Sequence, residues 1–310
     1  MKNFTKVSRY DWSQTENKTS EISKSELKSL TSLGDIVNTT DINEIYSPLV
    51  HYLYLFVHND KLLLKSMNHF INANNVNKPF IIGISGPVAV GKSTVSRLLK
   101  VLLKRLYPTL KVQLMTTDGF LYPNRDLQKK KLMDSKGFPE SYNMKLLADF
   151  LSDVATGQKE VFYPLYSHEL SDIVPGSYGK ITNPDILIIE GINTLQIPPN
   201  KMIATSDFFN FSIYIDANEK LIRTWFLQRF VHLLVMNQNN PSSFYYSWSN
   251  KPKSQAVEMA EKVWQTVNLV NLREYIEPTK GRANVILHKT LDHKINYCLL
   301  YTSPSPRDRG

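Results

Sequence analysis

At 310 residues the chain is long enough to bury a full core, as one large domain or two modest ones. Its 42% hydrophobic and 21% charged content describe a soluble globular protein, with no apolar run approaching a bilayer span and no signal-peptide core in Met1-Lys2-Asn3-Phe4-Thr5-Lys6. The net charge of +9 suits an anionic ligand but does not by itself point to nucleic acid, and the single cysteine, Cys298, excludes an internal disulfide or a cysteine-based zinc site. The expected compartment is the cytoplasm, with neither membrane nor nucleic acid as partner.

Residues 1–40 are polar, and Ser23-x-x-Glu26 resembles a capping box opening a short helix, Ser25 to Leu33. Ile42, Ile45, Leu49, Tyr52, Leu53 and Phe56 recur at helical spacing, with Pro48 as a candidate kink, and a second helix is expected from about Asp60 to Ile71. An Asn-rich connector, Asn72 to Asn77, follows. Residues 1–78 thus read as a helical extension packed on a core domain over 79–296.

Pro79-Phe80-Ile81-Ile82-Gly83-Ile84-Ser85 reads as a buried strand and leads into Gly86-Pro87-Val88-Ala89-Val90-Gly91-Lys92-Ser93. The second stretch fits G-x-x-x-x-G-K-S/T, the P-loop. Gly86 and Gly91 let the backbone curl so that successive N–H groups point at one phosphate-sized centre, and the helix from about Gly91 to Leu106 adds its positive end. Lys92 can reach the β- and γ-phosphates, and the Ser93 hydroxyl can ligate Mg²⁺. The plainer alternative, a glycine turn between strand and helix, does not account for the apolar strand and amphipathic helix on either side.

Lys111 to Asp118 reads as the second strand, Asn124 to Gly137 as basic helix or loop, and Asn143 to Thr156 as a helix. The run Lys129 to Lys131 reads as a solvated helix face. Gly157 to Thr182 shows no clean period and is expected to be a long functional loop with short strands. Asp185-Ile186-Leu187-Ile188-Ile189-Glu190 is a central-strand pattern; Phe209 to Asp216 is a further strand. A helix over Asn218 to Val235, a Tyr- and Trp-bearing loop over Asn237 to Asn250, a helix over Ser254 to Tyr275 and a last strand, Ala283 to Leu287, complete the pattern. The fold class is α/β: a P-loop NTPase fold, mostly parallel central sheet flanked by helices. Ligands in such sheets bind beyond the carboxyl ends of the strands, where the P-loop, Asp118 and Glu190 all fall.

A carboxylate at Asp118, 26 residues after Lys92, can serve as a Mg²⁺ ligand or as the base for an acceptor hydroxyl; the plainer reading is a turn cap. Glu190 stands where a metal-linked acid is expected, or else pairs with Lys92 or Arg229. Lys92, Lys136, Arg97 and Arg229 are the candidate cations, and sequence alone does not choose among them.

Several blocks together carry a closer likeness: Gly86 to Thr94, Thr117-Asp118-Gly119-Phe120, Lys136-Gly137-Phe138-Pro139-Glu140-Ser141-Tyr142, Tyr166-Ser167-His168, Glu190-Gly191-Ile192-Asn193, and Glu44-Ile45-Tyr46-Ser47-Pro48-Leu49. Over roughly residues 5 to 296 the chain resembles the bacterial type I pantothenate kinases. The resemblance implies ATP-dependent phosphorylation of the pantothenate 4′-hydroxyl, the first step of coenzyme A synthesis, in a homodimer inhibited by coenzyme A in competition with ATP. It implies Asp118 and Lys92 as catalytic residues and Gly86, Pro87, Val88, Ala89, Val90, Gly91, Lys92, Ser93 and Thr94 around ATP. Lys136 would lie near the γ-phosphate, His293 near the adenine, and Ser93 and Glu190 at Mg²⁺. Tyr166, His168, Phe226, Arg229 and Asn268 would hold pantothenate, with Arg97 and His168 toward coenzyme A. Phe226, Phe230, Leu233, Phe244 and Trp248 are expected as an apolar wall. Phe226, Phe244 and Ser171 stand where the family commonly carries tyrosine, so affinity or coenzyme A sensitivity is expected to differ from relatives.

Two alternatives stay open. Another small-molecule kinase, of the uridine kinase or phosphoribulokinase type, shares the P-loop and strand-end acids but not the Lys136–Tyr142 and Tyr166–His168 blocks. A nucleotide-hydrolysing switch would turn over ATP without an acceptor, and the Asn-Lys-x-Asp element of a GTPase is missing. Beyond Asn296 the pattern breaks into Tyr297 to Gly310, which resembles translated sequencing-adapter read-through; residues 297–310 are expected to be non-native and disordered.

Overall fold

Six consecutive buried residues, Phe80–Ser85, make β2 the centre of the molecule. The computed structural model describes residues 3–15, 20–72, 78–196 and 204–302. A run that is apolar on both sides belongs in the middle of a parallel sheet with cover on both faces, and β2 pairs in parallel with β6 (Ile186–Glu190) and β7 (Phe211–Ala217). The full order is β1-β9-β8-β7-β2-β6-β3, with β1 at Phe4–Ser8, β9 at Ile295–Tyr301, and β3 at Val112–Thr116 and β8 at Val285–Lys289 parallel to the centre.

Alternation of side chains sorts the strands between two cores. Ile82, Ile84, Ile186 and Ile188 face a core shared with Leu98, Leu99 and Leu102 of the helix Lys92–Leu106. Ile81, Leu187 and Ile189 face the other, with Leu147 and Leu151 of the helix Met144–Ala155. The first core also takes in Trp12, Ile45, Leu49, Leu53 and Val57 from the N-terminal extension, so the extension and the sheet share one apolar interior.

The extension is not wholly helical. It opens with a strand, β1 (Phe4–Ser8), antiparallel to β9 (Ile295–Tyr301), which is itself antiparallel to β8. The expected end of the fold at 296 is therefore too early: Cys298 is fully buried and 297–301 fill an inner strand. The connector 73–77 and the end 303–310 lie outside the described residues. The capping box does form its first half, with Ser23 Oγ accepting from the Glu26 amide to open Lys24–Leu30. The two helices expected between 41 and 71 are one continuous run: a wide π turn over Ile42–Tyr46 feeds the helix Ser47–Phe70, so Pro48 follows directly on a turn where the regular i→i−4 ladder is already interrupted.

Residues 157–182 form an ordered antiparallel hairpin, β4 (Glu160–Ser167) and β5 (Asp172–Thr182), in place of the expected loop. Its register shifts between Pro164 and Tyr166, where a proline that cannot donate is tolerated at the edge of a two-stranded sheet. The expected helix 254–275 is regular only over Lys253–Val263 and then passes through π turns at Trp264–Asn268 and Leu272–Ile276. Among the described residues no helix is long and apolar enough to cross a membrane.

Candidate active site

The strand ends converge by register. Ile84 of β2 and Thr116 of β3 both lie level with Glu190 at the end of β6. The P-loop leaves β2 one residue later, and a tight turn, Thr117–Phe120, leaves β3. Gly86 and Gly91 take positive φ of 150° and 96°, and Ala89 between them is held at 59°, a strained value for a residue with a Cβ. Lys92 Nζ donates to Pro87 O at 2.8 Å, within the same loop. Burial lowers the Lys92 pKa, while Glu190 and Asp118 pull it back toward the charged form.

Ser93 Oγ donates to Glu190 Oε1 at 2.6 Å. Burial raises the Glu190 pKa, opposed by the nearby Lys92 ammonium. Thr117 Oγ1 donates to Asn193 Oδ1 at 2.6 Å in the interior, so the turn bearing Asp118 is fastened to the segment following Glu190. The Asp118 side chain is 25% exposed, with His168 Nε2 3.8 Å from Oδ2. The carboxylate therefore faces open space while its backbone is fixed.

That space is a cavity of about 350 Å³, walled by the P-loop, the 118–121 turn, the end of the β4–β5 hairpin and the helices 219–237 and 253–276. Lys92, Ser93, Asp118, Lys136 and Glu190 line it together with Tyr166, His168, Phe226, Arg229 and Asn268. Lys136 Nζ donates to Asn124 Oδ1 at 2.8 Å and to the Ser171 carbonyl. Burial lowers its pKa, countered by Asp172 and Asp118. Burial pushes the Tyr166 phenol up to about 12, so it stays a neutral donor and acceptor, its oxygen 3.2 Å from Ser171 Oγ. Burial also lowers the His168 pKa, with Asp118 opposing.

Not every expected residue reaches this cavity. Thr94 is buried, its hydroxyl accepting from the Ser32 amide at 2.9 Å. Arg97 is turned away, donating to Leu30 O at 2.7 Å and Ser32 Oγ at 2.6 Å. His293 is buried against Trp225, ring centroids 4.2 Å apart, and lies 2.8 Å from Asp35. In the expected apolar wall, Phe226, Phe230 and Leu233 line the cavity. Phe244 is instead 50% exposed, and Trp248 packs on the Leu234–Ala256 cluster. Tyr245 takes the place expected for Phe244, its ring packed edge-on against Phe230 of the 219–237 helix. Asn271, also unforeseen, donates from Nδ2 to Gly137 O at 2.8 Å and fastens the Lys136 loop to the 253–276 run. Its spacing of three from Asn268 puts both on one helix face, a signal that was legible.

The family model of the phosphoribulokinase/uridine kinase family matches residues 81–232. A pantothenate kinase of Ligilactobacillus salivarius is 46% identical over 299 residues, covering 96% of this chain and 97% of that protein. One of Streptococcus equi subsp. zooepidemicus is 48% identical over 294 residues, covering 94% and 96%. Among solved structures, D-glycerate 3-kinase from Cryptococcus neoformans superposes with a TM-score of 0.53 at 14% identity, covering 80% of this chain and 97% of that one, which is a likeness of fold.

Proposed function

The chain belongs to the pantothenate kinase family, and from that premise we propose that it transfers the γ-phosphoryl group of ATP to the 4′-hydroxyl of pantothenate, the first step of coenzyme A synthesis. The observation that carries the reading is one shared cavity. A phosphate cradle and a half-open carboxylate, Asp118, line the same cavity as Tyr166, His168, Arg229 and Asn268. Pantothenate offers a carboxylate, an amide and two hydroxyls, which need a few polar anchors against apolar surface, and Phe226, Phe230 and Leu233 supply that surface.

In the proposed mechanism the P-loop amides and Lys92 hold the triphosphate, and Lys92 leaves the Pro87 carbonyl to do so. Asp118 accepts the hydroxyl proton as the acceptor oxygen bonds to the γ-phosphorus and the bond to the bridging oxygen breaks, releasing ADP. Lys136, held by Asn124 and the Ser171 carbonyl, lines the same cavity as a second cation. The hairpin end, with Tyr166 and His168, lines the cavity and limits the access of water to the acceptor. Ser93 and Glu190 present an oxygen-only donor pair, the chemistry Mg²⁺ prefers, and these two would hold it with waters and phosphate oxygens completing its shell. The ion would supply charge neutralisation of the phosphates.

The proposal includes coenzyme A as feedback inhibitor acting at the His168 side of the cavity, a homodimer, and the cytoplasm as compartment. A likeness to uridine kinase or phosphoribulokinase chemistry is disfavoured by the pocket: Tyr166, His168 and Asn268 converge where those readings assign no role to the corresponding blocks.

The deciding experiment follows ADP release from Mg²⁺·ATP with and without pantothenate, with uridine and ribulose 5-phosphate as controls. Release dependent on pantothenate, suppressed by added coenzyme A, is expected. Release with another acceptor, or with none, overturns the substrate assignment.

A further inference from the structure

Beside the cavity, a buried charge cluster packs against the P-loop. Lys289, at the end of β8, is fully buried; its Nζ donates to Asp35 Oδ1 at 2.8 Å and to Val90 O at 3.0 Å. His293 Nδ1 lies 2.8 Å from the same Asp35 oxygen. Asp35 Oδ2 is buried without a hydrogen-bond partner and sits over Gly91, where an added Cβ would fall 2.3 Å from it and 2.6 Å from Lys289 Nζ. Asp35 comes from the N-terminal extension. The preceding residues grip the helix that follows the loop, through Ser32 N to Thr94 Oγ1 and Arg97 to Leu30 O and Ser32 Oγ.

A trans peptide sets its C=O and the next N–H in opposite directions. With the Val90 carbonyl held by Lys289 behind the loop, the Gly91 N–H must point to the front, into the phosphate cradle. A fully buried ammonium keeps its charge only beside a counter-charge, and Asp35 is the carboxylate in contact with it. We infer that Asp35 is a positioning residue for the nucleotide's phosphates: through Lys289 it fixes the Val90–Gly91 peptide and so aims the Gly91 N–H. The N-terminal extension is then a working part of the phosphate site.

This inference rests on the kinase reading only for the nature of the nucleotide, so its test is binding, not turnover. ADP and adenosine are titrated by calorimetry into the wild type, Asp35→Asn, Lys289→Met and the double variant. The KM for pantothenate is measured in each at saturating ATP. Asp35→Asn is expected to weaken ADP at least roughly tenfold while adenosine binding and the pantothenate KM stay within about twofold. The double variant should lose no more than Lys289→Met alone, because both act through one carbonyl. Wild-type ADP affinity in Asp35→Asn, equal losses for ADP and adenosine, or additive losses in the double variant overturn the inference. Should Asp35→Asn not fold, Asp35→Glu, which keeps the charge but moves it by one methylene, is titrated in its place. The same ADP-selective loss is then expected, and wild-type affinity again overturns it. Wild-type turnover with pantothenate, measured alongside, checks the kinase reading independently.

Discussion

Ser93 Oγ donates to Glu190 Oε1 at 2.6 Å, joining the first turn of the P-loop helix to the end of β6 across 97 residues of sequence. The bond gives the buried carboxylate a donor that favours its charged form, and the two groups are the pair proposed to hold Mg²⁺. Glu190→Gln removes the charge and keeps the shape. The Mg²⁺ concentration for half-maximal turnover is expected to rise roughly tenfold, by analogy with the loss of other groups that orient a metal ligand. A Mg²⁺ titration that superposes on the wild type would remove Glu190 from the metal site.

Asp118 faces the cavity with its turn anchored through Thr117 to Asn193. Asp118→Asn keeps that anchor and removes the proposed proton acceptor, so turnover should fall by about two to four orders of magnitude with ADP affinity nearly unchanged. Rapid-quench measurement of the phosphoryl-transfer step reads this directly. Near-normal turnover would leave the carboxylate without a catalytic role.

Gly119 lies against the hairpin: a Cβ there would come 2.1 Å from the Pro164 carbonyl oxygen. Since backbone cannot rotate out of the way, Gly119→Ala should displace β4 from the Asp118 turn at a cost of about 1–3 kcal/mol. The KM for pantothenate should rise with it, because Tyr166 and His168 ride on the same hairpin. An unchanged Tm and KM would mean that the turn and strand separate freely.

Burial alone would raise the Asp35 pKa, but the Lys289 ammonium and the His293 contact outweigh it and hold the carboxyl at about 2, against an ordinary 3.8. A depressed folded pKa stabilises the fold above the unfolded value, and that contribution fades as pH falls from about 4 toward 2; its full size is about 2 kcal/mol. Chemical denaturation at pH 5 and pH 2.5 should therefore show a smaller pH-dependent loss in Asp35→Asn than in the wild type. Equal losses would place the acid sensitivity elsewhere.

Leu55, Leu62, Leu63, Met67 and Phe70 are exposed along one side of the helix Ser47–Phe70, an apolar stripe of the kind that marks an association surface. The proposed homodimer would cover it, so Leu63→Glu should convert a dimer to monomer in sedimentation equilibrium. A wild-type protein that sediments as a monomer would sink the dimer assignment.

Local chemistry made much of this protein legible from residue order alone. A glycine-bounded loop between an isoleucine-rich strand and an amphipathic helix, with acids closing two further strands, is readable because backbone geometry and strand burial act over a few neighbours. Those signals point to the cradle, Asp118 and Glu190, whereas Tyr166 and His168 are singled out only through the family resemblance. The tertiary structure decided what depends on distant partners. Tyr245, not Phe244, faces the cavity, its ring packed against Phe230 of the 219–237 helix. Arg97 and His293 turn from the cavity because Leu30, Ser32, Asp35 and Trp225 claim them. Strand β9 forms because β8 and β1 leave hydrogen-bonding edges on either side of it, which no periodicity within 295–301 announces. The Asp35–Lys289 pair joins residues 254 apart; a buried charge is stable only beside its counter-charge, and only the folded chain brings the two together.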